Sequence, residues 1–260
     1  MLGIARGVSN GNIRLKSTTE ITDLGEQFYT VPAGTLYVEV EMWGAGGGGG
    51  LGLKMDGKRG GSSTYQEGSG GGGGGYVQHK YYITNILAND TLNFTIGQGG
   101  TGADLDGTNE CKGENGGDTW IRTHARGVTV ITNFAGITAA GGCGGDTGNI
   151  LCIGSGICYS EGGTGSGGNM TNENGEAGTD HASVGGSPSN GKAGGAAGNG
   201  GAGGAGGDYS GNGSGGNGTA PGGGGGGGAS SNTVGVGLEE GGDGGNGANG
   251  KVRIKAYGIG

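Results

Sequence analysis

Residues 193–208 read AGGAAGNGGAGGAGGD, and their spacing decides what half of the chain can be. Ala193, Ala196, Asn199, Ala202, Ala205 and Asp208 fall three residues apart with mostly glycine between them, and Asp243, Asn246 and Asn249 repeat the interval. A period of three belongs to the polyproline-II helix, which makes no internal hydrogen bonds. Every N–H and C=O of such a helix needs a partner outside it.

The surrounding stretch, residues 141–249, holds more than half of the 80 glycines. From Ser160 to Asn249 its only large apolar residues are Met170, Val184, Tyr209, Val234, Val236 and Leu238. Two readings follow. One is a flexible linker, as low hydrophobicity suggests. The other is a bundle of glycine-rich polyproline-II (polyglycine-II) helices that bond to one another through bare backbones, with Asn, Asp or Ser at the rim. The three-residue register favours the bundle. Collagen is excluded, because it wants one glycine in three and abundant proline, whereas glycine here is often two in three and the chain has 3 prolines.

Hydrophobic residues make up 30% of the 260 residues and aromatics 5%, too little for a conventional core of this length. The net charge of −8 argues against nucleic acid, which requires a basic stripe. No run approaches the length of a membrane span. The opening MLGIARGVSNGNIRLK lacks the apolar centre of a secretory signal.

The apolar residues alternate where strands are expected. Leu36, Val38, Val40 and Met42 share one face, with Tyr37, Glu39, Glu41 and Trp43 on the other. Further strands are expected at Phe28–Thr35, Tyr76–Ile83, Thr91–Ile96, Asp118–Thr123, Val128–Thr132, Ile137–Ala139 and Lys251–Tyr257, with a turn at Asn89-Asp90. The expected organisation is an N-terminal docking arm (1–24), irregular apart from a strand at Asn12–Leu15, an all-β sandwich (25–140 plus 250–260) and an inserted glycine-helix bundle (141–249). Shorter glycine runs at 44–52 and 70–75 join that bundle.

Five phrases come in a distinctive order: FYTVPAGTLYVEVEMWGAGGGGG (28–50), GGGGGYV (71–77), DTLNFTIGQGG (90–100), ITAAGGCGG (137–145) and GANGKVRIKAY (247–257). Together they resemble the glycine-rich region of the anaplastic lymphoma kinase receptor family. Glycine-rich modules of phage tail proteins and tail fibres open with a similar VPAG…WGAGGGG phrase. The resemblance covers residues 27–257 and implies a jelly-roll-like, tumour-necrosis-factor-like sandwich carrying glycine helices.

Motifs for chemistry are weak. Gly186–Lys192 and Gly245–Lys251 both fit G-x-x-x-x-G-K. Neither is followed by the Ser or Thr that would hold magnesium, and neither lies in a strand–loop–helix context. His79, His124 and His181 sit in no nucleophile or zinc motif, and Glu239-Glu240 reads as a solvated turn. No catalytic, cofactor-binding or metal-binding residue is expected. The calcium repeat G-G-x-G-x-D is not sustained. Cys111, Cys143, Cys152 and Cys158 lack zinc-ligand spacing. Disulfides are one reading, with Cys152–Cys158 closing a short loop and Cys111–Cys143 as the second pair, and free thiols are the other.

The expected function is that of a non-enzymatic virion structural protein. It would be a phage tail, tail-fibre or virion-surface component that helps contact the host. Its partners would be other virion proteins, through residues 1–24 and the sandwich, and a host surface receptor or glycan. Trimeric fibres and jelly rolls make a homotrimer the first expectation. A secreted ligand-binding module and an ice-binding protein are the alternatives. Trp43, Tyr76, Tyr81 and Trp120 should fill the core or interfaces. The excursions Lys54–Gln66, Leu105–Asn115, Asn149–Glu161 and Met170–Ser189 should be exposed loops at the bundle's ends.

Overall fold

The alternating segments become the strands of two facing antiparallel sheets. The computed structural model describes residues 12–55, 63–82, 89–104, 112–126, 129–133, 136–147, 160–180, 187–211, 213–231 and 238–259. In chain order the strands are β1 (Ile13–Ile21), β2 (Gly25–Thr30), β3 (Thr35–Trp43), β4 (Leu53–Met55), β5 (Thr64–Gln66), β6 (Tyr76–Tyr82) and β7 (Thr91–Ile96). There follow β8 (Thr119–Arg126), β9 (Thr129–Asn133), β10 (Thr138–Ala139), β11 (Gly165–Ser166), β12 (Thr171–Glu173), β13 (Leu238–Glu240) and β14 (Lys251–Ile259). One sheet has the order β1-β14-β3-β6-β12, the other β11-β10-β8-β7-β2 with β9 against β8, and a small third sheet is β13-β4-β5.

Side chains alternate across a strand, so each sheet gives one apolar row to the interior. Val38, Val40, Met42, Val77, Val252, Ile254 and Ala256 come from the first sheet; Tyr29, Leu92, Phe94, Ile96, Ile121 and Ala139 come from the second. All are buried in one cluster, and the chain is an all-β sandwich as expected. Asn89 takes a positive φ of 67°, as a turn at Asn89-Asp90 requires.

The glycine stretches continue the strands and are ordered by hydrogen bonds of period three. From Gly44 onward, successive N–H groups address three neighbours in rotation. Gly44, Gly47 and Gly50 donate to Gly75, Gly72 and Ser69; Ala45 and Gly48 donate to Gly117 and Glu114; Gly46, Gly49 and Gly52 donate to Ala248, Gly245 and Gly242. The carbonyls accept from three more neighbours: Ala45 and Gly48 from Gly142 and Gly145, Gly46 and Gly49 from Gly100 and Ala103, Gly47 and Gly50 from Gly225 and Gly228. The 44–52 segment is thus a rod ringed by six others, its N–H groups pointing to antiparallel neighbours and its C=O groups to parallel ones.

The close approach explains the composition. A Cβ on Gly47 would stand 2.1 Å from the Cys143 oxygen, and one on Gly49 2.0 Å from the Gly226 oxygen. The glycine Cα–H therefore points at a carbonyl, adding weak contacts of about 0.5–1 kcal/mol to backbone bonds of about 1 kcal/mol net.

The expected domain boundaries change in three ways. Residues 44–52 and 67–75 are interior rods, buried together with 222–231, where the sequence reading had the runs 44–52 and 70–75 join a bundle centred on 141–249. Rods also run through 97–103 and 112–117, inside the span assigned to the sandwich, while β11 and β12 of the sandwich lie inside 141–249. Finally, Ile13–Ile21 of the expected docking arm is an edge strand paired along its length with β14 of the same chain. Residues 1–11 lie outside the described residues.

Rods alternate in direction. Those at 44–52, 97–103, 140–147, 174–180, 201–208 and 222–231 lead away from the sandwich. Those at 67–75, 112–117, 160–164, 189–198, 213–219 and 241–250 return. Most of the first three expected excursions (56–62, 105–111 and 149–159) lies outside the described residues, as do 181–186 of the fourth, but the rest of Met170–Ser189 is not a loop at the bundle's end: it holds β12 and the rod 174–180. Lys54 and Gln66 are buried, and Met170 leads into β12.

Candidate functional site

The outer face of the five-stranded sheet is where charged and aromatic side chains converge. Four of its strands are direct continuations of rods: 44–52 leaves β3, 67–75 enters β6, 174–180 leaves β12 and 241–250 enters β14. The register then stacks outward-facing residues in rows.

Nearest the rods stand Trp43, Tyr76 and Lys251. The two rings lie 5.1 Å apart, and the Trp43 indole N–H donates to the Asn199 carbonyl at 2.9 Å. Next comes an ion ladder. Arg253 reaches Glu20 at 2.9 Å and Glu41 at 3.2 Å, while Lys255 reaches Glu41 at 2.7 Å and Lys251 reaches Glu20 at 2.8 Å. Hydrogen bonds from Lys251 and then Arg253 hold the Glu20 carboxyl below its ordinary pKa. Glu39 pairs with Lys80 at 3.5 Å.

Farthest from the rods is an aromatic row. Tyr37 and Tyr257 stack at 4.6 Å, Tyr82 stands 6.2 Å from Tyr37, and Leu15 is the register partner of Tyr257. The Lys80 ammonium sits 3.7 Å over the Tyr37 ring, a cation–π contact. Burial, then Glu39, pushes the Tyr257 phenol above its ordinary pKa. Both faces of the Tyr37 ring are occupied, so it presents its edge and hydroxyl, while Tyr82, with the same ammonium 5.4 Å from its ring, is the most exposed of the three tyrosines at 55%.

This arrangement can bind; its ladder carboxylates are neutralised by bonded cations. In the two G-x-x-x-x-G-K matches Lys192 pairs with Glu67 at 3.3 Å and Lys251 with Glu20 at 2.8 Å; Gly191, Gly245 and Gly250 lie in rods, and Gly186 lies outside the described residues. No group of three His, Cys, Asp or Glu among the described residues could hold a metal ion. Cys143 is buried in a rod and disulfide-bonded; Cys111, Cys152 and Cys158 lie outside the described residues. His79 is half-buried against Tyr81 at 4.4 Å, whereas His181 lies outside the described residues, as do the side chains of His124, Glu239 and Glu240. Trp43, Tyr76 and Tyr81 are buried as expected, and Trp120 is half-buried under Arg122 at 5.3 Å. The ladder was missed because its members are distant in sequence; the outward alternation of Glu39, Glu41, Arg253 and Lys255 was the available signal.

The rim of the bundle carries the other polar set. Asn246 and Asn249 accept from Gly102 and Gly99, Asn115 from Gly144, and Asp118 from Gly141, all within 2.8–2.9 Å. No helix of the described residues is long and apolar enough to cross a membrane.

The comparison with curated proteins returns no match. A family model described as Glycine-rich domain matches residues 21–257, most of the length, and the chain belongs to that family.

Proposed function

We propose that the chain is a non-enzymatic virion structural protein, a phage tail, tail-fibre or virion-surface component that helps contact the host. The observation that carries this reading is the polarity of the rods. Because they alternate in direction, the β13-β4-β5 sheet and the rod ends at 104, 112, 147, 160, 180 and 187 share the pole opposite the sandwich. On this reading the rods are polyglycine-II helices and the sandwich is a jelly-roll-like platform. The bundle is then a stiff spacer held by backbone bonds, so sequence at its far pole can vary without disturbing the fold. Recognition concentrates on loops over such scaffolds. The aromatic row and ion ladder lie on the side of the sandwich, remote from that pole, and serve contacts with other virion proteins, in a homotrimer as the first expectation.

The Cys143 disulfide also suits the alternative of a secreted ligand-binding module, and the exposed Ala202 and Ala205 at three-residue spacing suit an ice-binding face. Antibody labelling of particles separates these readings. Label on the particle exterior, with purified chain competing for host adsorption, is expected. Its absence from particles would overturn the proposal, and ice recrystallisation inhibition by the purified chain would replace it.

A further inference from the structure

Asparagine followed by glycine recurs along the bundle. Seven such pairs lie among the described residues, beginning at Asn115, Asn174, Asn190, Asn199, Asn217, Asn246 and Asn249. This dipeptide is prone to deamidation, because glycine puts no side chain in the way of its own amide nitrogen and leaves the backbone free to turn. That nitrogen bonds to the asparagine Cγ, ammonia leaves with the amide proton, and a five-membered imide forms. Water then opens the ring to aspartate or to isoaspartate, which carries an extra methylene in the backbone. Inside a rod, that methylene would shift every later N–H out of the period-three register.

Six of the seven pairs are held at both reacting groups. The carboxamide oxygens of Asn115, Asn190, Asn217, Asn246 and Asn249 accept backbone N–H groups at 2.8–3.0 Å, and that of Asn174 accepts one at 3.4 Å. In all six the following glycine N–H donates to another rod at 2.8–2.9 Å.

Asn199-Gly200 differs in both respects. It forms the turn between the rods 189–198 and 201–208, and Asn199 is exposed with a positive φ of 44°. The Gly200 N–H reaches the Ala197 carbonyl of its own turn at 3.3 Å rather than a neighbouring rod. The Asn199 side chain bonds to the Tyr76 hydroxyl instead of a backbone amide. A phenol donating to a carbonyl oxygen stabilises the charge that develops there as a nucleophile attacks. The Asn199 carbonyl is also the acceptor of the Trp43 indole N–H at 2.9 Å.

We propose that Asn199 deamidates in the folded protein while the six rod asparagines stay intact, and that isoaspartate formed there releases Trp43. The added methylene moves the residue 199 carbonyl away from the indole. The joint between sandwich and bundle then loosens slowly and in one direction, as a timer built into the chain.

The test keeps the full chain in mildly alkaline buffer and maps its peptides by mass spectrometry, with isoaspartyl methyltransferase labelling. Conversion at Asn199 should run at least about tenfold faster than at any rod asparagine, because those must wait for a rod to open. In denaturant the seven rates should converge. Equal rates in the folded chain, or an intact Asn199 peptide, would overturn the proposal. Asn199→Gly accepts the positive φ and cannot form the imide. Its melting temperature should hold through an incubation in which the parent's falls in step with conversion at Asn199. A parent that converts without losing melting temperature, or an equal fall in both chains, would overturn the release of Trp43.

Discussion

The Trp43 indole N–H donates to the Asn199 carbonyl at 2.9 Å across 156 residues of sequence, tying the last residue of β3 to the turn between two rods. The ring is 3% exposed, packed on Tyr76, with the Arg253 guanidinium 5.4 Å above it. Sandwich and bundle are therefore joined by a side chain as well as by continuous backbone. Trp43→Phe should cost about 1–2 kcal/mol, because it leaves the Asn199 carbonyl without its donor. Trp43→Ala should cost about 3–5 kcal/mol through the added cavity. Denaturant melts of both variants check this, and a Phe variant as stable as the parent would deny the bond any role.

Substitutions in the rods should split by position. Gly203→Val would place its Cβ 1.9 Å from the Gly194 oxygen, and Gly47→Ala would place one 2.1 Å from the Cys143 oxygen. Both neighbours are backbone and cannot rotate away, so each variant should unfold the bundle or lose several kcal/mol of stability. Ala202→Ser faces solvent, and Gly211→Ala meets nothing within 4 Å. Both should stay within about 0.5 kcal/mol of the parent. Thermal melts that fail to separate the two groups would mean the register is misassigned.

Hydrogen exchange should show the same period. Amides of 44–50, 52, 68–75 and 222–229 are buried and bonded to neighbouring backbone, and should exchange as slowly as the core strands despite having few apolar neighbours. In the rim rods, Gly191, Gly194, Ala197, Gly201, Gly204 and Gly207 donate to other rods. Ala193, Ala196, Ala202 and Ala205 do not appear among the donors of the described residues, and should exchange fast. Uniform random-coil exchange across 190–208 would restore the linker.

The rim register was legible because a rim rod has an outward side. In 201–208, Gly201, Gly204 and Gly207 are buried while Ala202, Ala205 and Asp208 are exposed, so side chains mark every third position. An interior rod has no outward side and is nearly pure glycine, as in 70–75 and 222–228. Glycine density alone does not separate that from a linker, which is why 44–52 and 70–75 read as adjuncts. The strong alternation of 36–43 located β3, and similar patterns located β6, β7, β8 and β14. Only the start of β1 was legible, as a strand at Asn12–Leu15; the rest escaped because its inward residues include Ser17 and Thr19, so an edge strand covering little core left almost no apolar period. The ladder on the outer sheet face depends on β1, β3, β6 and β14 lying side by side, which is a property of topology that no local window holds.

Acid stability should fall in two separable windows. Burial lowers the His79 pKa from its ordinary value, opposed more weakly by the hydrogen bond to the Gly167 carbonyl. The unfolded chain then binds this proton more readily than the folded chain, so stability rises with pH through that window. It is fully present above the ordinary histidine pKa and declines as pH falls through that value towards the folded one. Glu20 is also lowered, by hydrogen bonds from Lys251 and Arg253. Its contribution is present above the ordinary carboxylate pKa and is lost as pH drops through the folded value, which is a more acidic window. His79→Gln should flatten the stability profile near neutral to mildly acidic pH and leave the lower limb, whereas Glu20→Gln should flatten the lower limb alone. Melting temperatures from about pH 8 to pH 3 resolve the two limbs. If Glu20→Gln altered only the upper one, or His79→Gln only the lower, the assignments of both groups would be wrong.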